Sequence, residues 1–124
     1  MGQRIVDAMQ RLLQGSQGIS ACALVEAESG LVWHRCGEQP PDDQLMWEAA
    51  IDYWRLHQRS QAHFASLGPL EAVALHHRQA VLAIFPCRQD TELLMVCRAA
   101  HRGVDWRGWQ AGLRAFTGQL KQWL

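Results

Sequence analysis

The sequence predicts an α+β domain in which helices cover a five-stranded antiparallel sheet, in the order α-β-β-α-β-β-β-α. Two observations support this fold class. Three segments repeat apolar residues at helical spacing, and five shorter apolar segments are bounded by turn residues. A chain of 124 residues buries one core and is too short for two, so residues 1–124 are predicted to form a single domain.

The first half of the chain begins with a predicted helix over residues 4–14, which ends at the glycines of the GSQG segment. Strands at 19–27 and 31–35 follow, joined by a tight turn that contains Gly30. Small side chains on the first strand leave space above it, so a helix is expected to pack closely there. These small residues are Ala21, Ala23 and Ala27.

A long second helix is predicted from about 43 to 63, with Asp42 or Asp43 as its N-terminal cap. On a helical wheel it has two apolar faces, whereas a helix packed once against a sheet needs only one. The first face contains Met46, Ala49, Ala50, Tyr53 and His57, and the second contains Trp47, Ile51 and Trp54. We expect the second face to need a cover, which another subunit, a different protein or a loop of the same chain would supply.

The second half of the chain predicts a three-stranded meander followed by a helix. The strands are LEAVALHH at 70–77, AVLAIFPC at 80–87 and ELLMVCRA at 92–99, separated by turns short enough for antiparallel hairpins. The final helix, at 105–124, carries a single apolar stripe that includes Trp106, Trp109 and Trp123 and is expected to pack on the sheet.

Composition excludes several classes of function. Lys+Arg and Asp+Glu are equal at 12 each and form no long block, so we predict no binding of nucleic acid. Apolar runs are too short to cross a bilayer, so no membrane insertion is expected. The four cysteines form no C-x-x-C motif and the N-terminus lacks a secretory signal, which together predict a cytoplasmic protein.

The polar residues predict no catalytic, metal-binding or cofactor-binding site. His76 and His77 are neighbours on a strand, so their side chains point to opposite faces and are poorly placed to share a metal ion. Cys22 and Cys97 resemble small buried hydrophobic residues. No glycine-rich phosphate motif is present, so the sequence carries no nucleotide-binding signature of its own. We therefore predict that the protein is not an enzyme and uses no cofactor.

An interface between subunits is the site that the sequence favours. If the meander is laid out in order, the strand at 70–77 lies at a sheet edge, with Glu71 as its only mid-strand charge. An edge strand beside an apolar helix is a surface that a two-fold axis can pair with itself. The predicted interface residues are Trp47, Ala50, Ile51, Trp54, Glu71, Val73 and Leu75.

The hairpin VEAESGLVWHR, the wide apolar second helix and the meander resemble the Roadblock/LC7 family over nearly the whole chain. The match rests on Glu28-Ser29-Gly30-Leu31-Val32, which is similar to the family's hairpin, and on Gly68 before the third strand. This resemblance implies a profilin-like fold that dimerises through its second helix and third strand. It also implies a non-catalytic adaptor, which among the bacterial members binds a Ras-like GTPase and in some cases stimulates its GTP hydrolysis.

These observations predict a homodimeric adaptor or regulatory protein that binds a small Ras-like GTPase or another protein. The alternative is a small-molecule sensor that holds a ligand between a helix and the sheet. A pocket lined by tryptophan, with His57 or His34 as a polar partner, would favour that alternative. An enzyme is the third reading, and it would require a histidine, a cysteine and a carboxylate to converge in one cleft.

Overall fold

The computed structural model describes residues 2–38, 43–88 and 93–123, and within them it confirms the predicted order of elements. The helices are α1 (Gly2–Gln14), α2 (Asp43–Ser60) and α3 (Trp106–Trp123), with a 3₁₀ helix over Gln61–Leu67 directly after α2. The strands are β1 (Ile19–Glu26), β2 (Val32–Gly37), β3 (Val73–His76), β4 (Val81–Arg88) and β5 (Leu93–Ala99). The predicted cap at Asp42 or Asp43 depends on side chains outside the described residues.

The five strands form one antiparallel sheet in the order β2-β1-β5-β4-β3. β1 lies between β2 and β5, and β4 joins β5 to β3. The meander therefore places β3 at one edge of the sheet, as the sequence predicts, and β2 at the other.

The sheet separates two cores. Because side chains alternate along a strand, Cys22 and Leu24 of β1 face the core under α1 and α3, whereas Ala21 and Ala23 face the core under α2. Trp109, Leu113, Phe116 and Leu120 pack into the first core from one side of α3, which confirms the predicted apolar stripe of that helix.

Two element boundaries differ from the prediction in ways that affect the candidate site. β3 contains only four residues rather than eight, because its pairing with β4 extends only from Val73 opposite Ile84 to His76 opposite Val81. Glu71 therefore lies before the strand and not in its middle. α2 ends at Ser60, and the 3₁₀ helix that follows it has no buried residue.

No helix among the described residues is both long enough and apolar enough to cross a membrane.

Candidate protein-interaction surface

The tryptophan face of α2 is covered by the chain's own sheet. Trp47 and Ile51 are fully buried, Ala50 is 2% exposed and Trp54 is 7% exposed. All four pack with residues of β1, β4 and β5 in the second core. The prediction that this face needs a cover from outside the sheet is therefore wrong, and these four residues are not accessible to a second subunit in the folded chain.

The physical reason lies in the small residues of β1 and of the turn that follows it. Ala21, Ala23 and Ala27 are buried in the same cluster as Trp47 and Trp54, so the large indole rings fill the space that the short side chains leave. The sequence contained this signal, because the three alanines predict large side chains from a covering helix. Volume complementarity between strand and helix identifies the buried face of α2, which the helical wheel alone could not do.

The opposite face of α2 is the uncovered one. Leu45 is 69% exposed, Tyr53 is 49% exposed and Leu56 is 55% exposed, and Ala49 between them is also exposed. These residues recur every three or four positions, so they form one stripe along the helix. Sequence reasoning placed Ala49 and Tyr53 on a face expected to meet the sheet, and the structure corrects this assignment.

β3 forms a free edge of the sheet, and its half-buried residues face the same side of the sheet as α2. Within the described residues β3 pairs with β4 alone, so its outer backbone groups have no strand partner. Val73 and Leu75 are half-buried and pack toward the core under α2, whereas Ala74 and His76 are exposed. We define the α2–β3 surface as Leu45, Ala49, Tyr53 and Leu56 together with Val73–His76. Glu71 is exposed and flanks it.

Arg55 fixes the turn between β1 and β2 to α2. Its guanidinium donates hydrogen bonds to the carbonyl oxygens of Ala27 at 3.0 Å and Glu28 at 2.9 Å. A third contact, at 3.1 Å, is an ion pair with Asp52 one turn earlier on the helix. Gly30 has a φ of 77°, a conformation that favours glycine, and its amide donates to the carbonyl of Glu26. These contacts attach the hairpin that supports the family resemblance to α2.

His76, His77 and His101 lie close to the turn between β3 and β4. His76 is the last residue of β3, and the amide of His77 donates to the carbonyl of Ala80 in the turn to β4. The ring of His101 stacks on that of His76, with 6.4 Å between centroids, and its Nε2 lies 3.0 Å from the carbonyl oxygen of Arg78. Across the described residues, no three His, Cys, Asp or Glu side chains are placed to hold a metal ion.

All four cysteines are buried and free of disulfides. Burial raises the pKa of Cys87 and of Cys97 to about 12, and it raises the pKa of Cys22 and Cys36 as well. A thiol with such a pKa is almost entirely protonated at neutral pH and is a poor nucleophile. This environment is typical of cysteines that pack as small hydrophobic residues.

His34 and His57 do not meet in one pocket. His57 lies at the end of α2, where its ring stacks on Phe64 of the 3₁₀ helix at 5.5 Å. His34 lies on β2, where partial burial lowers its pKa. The hollow beside His57 is lined by residues of the 3₁₀ helix and of the segment before β3, and no tryptophan is among them. The tryptophan-lined pocket that would favour a sensor is therefore not formed at these residues.

Comparison with known proteins identifies the fold. No family model and no curated protein matches the sequence. Among solved structures, the Roadblock/LC7 domain from Streptomyces avermitilis superposes with a TM-score of 0.79, covering 95% of each chain at 16% identity. The chain has the Roadblock/LC7 fold.

Two further structures agree with this assignment. The gliding protein MglB from Thermus thermophilus gives a TM-score of 0.76 at 12% identity, with 97% of this chain and 90% of that chain covered. MglB with a tetrameric arrangement gives 0.74 at 14% identity, with 98% and 91% covered. At these identities the likeness establishes the Roadblock/LC7 fold alone, and it confirms the fold that the hairpin and meander predict.

Proposed function

We propose that this chain is a non-catalytic regulatory adaptor that forms a homodimer through the α2–β3 surface and binds a small Ras-like GTPase. One observation carries the proposal: an exposed apolar stripe on α2 lies on the same side of the sheet as the half-buried residues of an unpaired edge strand. Exposed apolar stripes and open strand edges both favour association with another protein.

A second copy is the occupant that best fits both features. Two β3 strands related by a two-fold axis can pair in antiparallel fashion, which extends the sheet across both subunits. The same axis brings the two α2 stripes together, so Leu45, Tyr53 and Leu56 would be buried against their counterparts. Val73 and Leu75 keep their predicted role in the interface, with Glu71 at its border. The helix residues predicted from the sequence, Trp47, Ala50, Ile51 and Trp54, are buried and leave the proposed interface. The exposed stripe of α2 takes their place in it.

The GTPase partner is proposed from the family resemblance together with the fold. The sequence resembles bacterial Roadblock/LC7 regulators in its hairpin and meander, and two of the superposable structures are of MglB, one of which is described as a gliding protein. The tetrameric arrangement of MglB indicates that a protein of this fold assembles beyond a single chain. Under this proposal any hydrolysis of GTP takes place in the active site of the GTPase, and the adaptor acts on it by contact.

The dimer is tested by light scattering after size-exclusion chromatography over a wide range of concentrations. The wild-type chain should have twice the monomer mass. Tyr53→Asp and Leu56→Asp each place a charge in the apolar stripe, so each should weaken the dimer by about tenfold or more. Ala115→Asp is the matched control, because it adds the same charge at an exposed position of α3 on the other side of the sheet.

Circular dichroism and urea unfolding of the same variants separate loss of the interface from loss of the fold. The expected result is a folded monomer for the two α2 variants and an unchanged dimer for the control. A wild-type monomer at every concentration, or α2 variants that stay dimeric, would contradict the assignment of this surface.

The GTPase interaction requires a separate measurement. Ras-like GTPases from the same organism, loaded with GTP or GDP, should be titrated against the wild-type protein while GTP hydrolysis is followed. Saturable binding that depends on the bound nucleotide is the expected result. If the dimer forms but no GTPase binds in either state, the partner proposal fails while the dimer proposal stands.

A further inference from the structure

A hollow of about 340 Å³ lies between α3 and β4, on the side of the sheet opposite α2. Its volume falls at the lower end of the range of about 300–1,000 Å³ that is usual for small-molecule sites. The strand wall is formed by Phe85, Pro86 and Cys87. The helix wall is one stripe of α3, made of Gln110, Leu113, Arg114 and Thr117, and Glu71 closes a third side.

The hollow exists because β3 is short. β4 runs to Arg88, but β3 pairs with it only as far as Ile84, so the outer side of Phe85–Arg88 has no neighbouring strand among the described residues. Glu71, two residues before β3, lines the hollow together with residues of β4 and α3. Phe85, Cys87 and Leu113 are buried, and they give the hollow an apolar floor.

The polar groups around this floor include one positive side chain, Arg114, and one negative side chain, Glu71. Thr117 donates its hydroxyl to the carbonyl of Leu113 at 2.9 Å and contacts the Cys87 thiol, so it is already engaged. Arg114 and Gln110 are left as the polar groups of the helix wall, and Glu71 faces the hollow from the other side. No ion pair joins Glu71 to Arg114 in the described part of the chain. A guanidinium and a carboxylate therefore line one apolar hollow without neutralising each other.

This arrangement fits a ligand of one chemical class. A phosphate or a dicarboxylate would meet repulsion from Glu71, and a cation would meet repulsion from Arg114. A wholly apolar ligand would use the floor but would gain nothing from the two charged groups, which are exposed to water. A small zwitterion with an apolar side chain suits the positive group, the negative group and the apolar floor together. Its carboxylate would meet Arg114 and Gln110, and its ammonium group would meet Glu71. Its side chain would cover the floor.

We propose that the hollow between α3 and β4 binds a free apolar amino acid. The site would make this chain a ligand-responsive protein in addition to the proposed adaptor, because binding would tie α3 to the segment that leads into β3. The hollow lies on the side of the sheet opposite α2, and Glu71 is the one residue that both lines the hollow and borders the α2–β3 surface. The two proposals are tested separately, because leucine binding and dimer mass are measured by different experiments.

L-Leucine is the probe, and the indole N–H signals of the six tryptophans in an NMR spectrum are the readout. The rings of Trp106 and Trp109 each lie 6.1 Å from the ring of Phe85, which lines the hollow. Their signals should shift saturably as leucine is added. Trp47 and Trp54 lie under α2 on the other side of the sheet, so their signals should not move.

Blocked ligands and two variants test the assignment of each charge. N-acetyl-leucine lacks the ammonium group and leucine methyl ester lacks the carboxylate, so each should bind about tenfold or more weakly than leucine. In the Glu71→Gln variant, N-acetyl-leucine should bind as well as leucine does. In the Arg114→Gln variant, leucine methyl ester should bind as well as leucine does. Arg107→Gln, at an exposed position of α3 that does not line the hollow, is the matched control and should bind leucine like the wild type.

Several results would overturn this inference. One is the absence of a saturable shift up to the solubility limit of leucine, and another is a shift confined to Trp47 and Trp54. Equal binding of leucine and both blocked forms would also overturn it, as would unchanged affinity in the Glu71 and Arg114 variants. Repeating the titration with the Tyr53→Asp variant shows whether binding is independent of dimerisation.

Discussion

At the scale of single residues, Arg55 links two parts of the fold that are distant in sequence. Its guanidinium joins α2 to the carbonyl oxygens of the β1–β2 turn. The spacing of residues along α2 does not predict this contact. Only the fold shows that the turn lies within reach of this side chain, because the two segments are 27 or more residues apart.

Replacing Arg55 by alanine should lower the free energy of unfolding by about 1 kcal/mol, since two carbonyl contacts and a partly exposed ion pair are lost together. Urea unfolding measures this change. Arg59→Ala is the control, because Arg59 is exposed on the same helix and its loss should change stability by less than about 0.5 kcal/mol. Equal effects of the two substitutions would show that Arg55 does not anchor the turn.

The buried thiols predict a loss of stability at alkaline pH. Burial raises the pKa of Cys97 to about 12 from the ordinary value of 9.0, so the unfolded chain releases this proton first as the pH rises. The contribution of the thiol to stability is therefore complete below about pH 9 and is lost progressively toward pH 12. Urea unfolding at about pH 8 and about pH 10 should show a decline that is smaller in Cys97→Ala. An identical decline in the variant would exclude Cys97 as a cause.

At the scale of elements, α2 has two faces of different character. The face with Trp47 and Trp54 is buried on the sheet, and the face with Leu45, Tyr53 and Leu56 is exposed. Large indole rings lie where β1 is lined with alanine, because close packing of the core requires small residues opposite large ones. The spacing of residues along α2 shows that both faces are apolar. Which of the two faces packs on the sheet depends on the side chains of the strand beneath it.

Substitutions on the two faces of α2 should therefore have different consequences. Trp47→Ala removes a fully buried ring and should lower the free energy of unfolding by about 3–5 kcal/mol. Trp54→Asp should unfold the chain and not yield a folded monomer, since it buries a charge under the helix. Tyr53→Ala, on the exposed face, should change the stability of the isolated chain little. Thermal unfolding followed by circular dichroism distinguishes these outcomes, and a folded Trp54→Asp protein would contradict the packing of this face.

At the scale of the whole molecule, a net charge of zero reflects charges of both signs at each end of the sheet. Glu26, Asp52 and Arg55 lie near the end that carries the β1–β2 turn. Arg78 and Arg102, in the β3–β4 turn and the β5–α3 loop, lie at the opposite end together with Glu38. The residues that define the α2–β3 surface are mainly apolar.

The proposed dimer should therefore depend little on salt. Its dissociation constant is expected to change by less than about threefold between about 0.05 M and about 1 M NaCl, because apolar burial is not screened by ions. Analytical ultracentrifugation at both salt concentrations measures it. A dimer that weakens by about tenfold or more at high salt would point to association through the charged ends in place of the α2–β3 surface.

Much of this fold could be predicted from the amino-acid sequence, because element order depends on local periodicity. The spacing of apolar residues in α3 and the short turns of the meander predict a helix and three antiparallel strands with no knowledge of distant contacts. The edge position of β3 also follows from the order of the meander. The choice of the covered face of α2, the early start of the 3₁₀ helix and the shortness of β3 could not be predicted in this way.

What the sequence by itself determined is therefore the α+β class, the element order and the presence of two apolar faces on α2. What only the tertiary structure decided is which face is free, that Arg55 reaches the β1–β2 turn, and that Glu71 and Arg114 line one hollow. The physical reason is that periodicity is a property of neighbouring residues. Packing, hydrogen bonds between distant segments and the geometry of a cavity depend on residues that only the folded chain brings together.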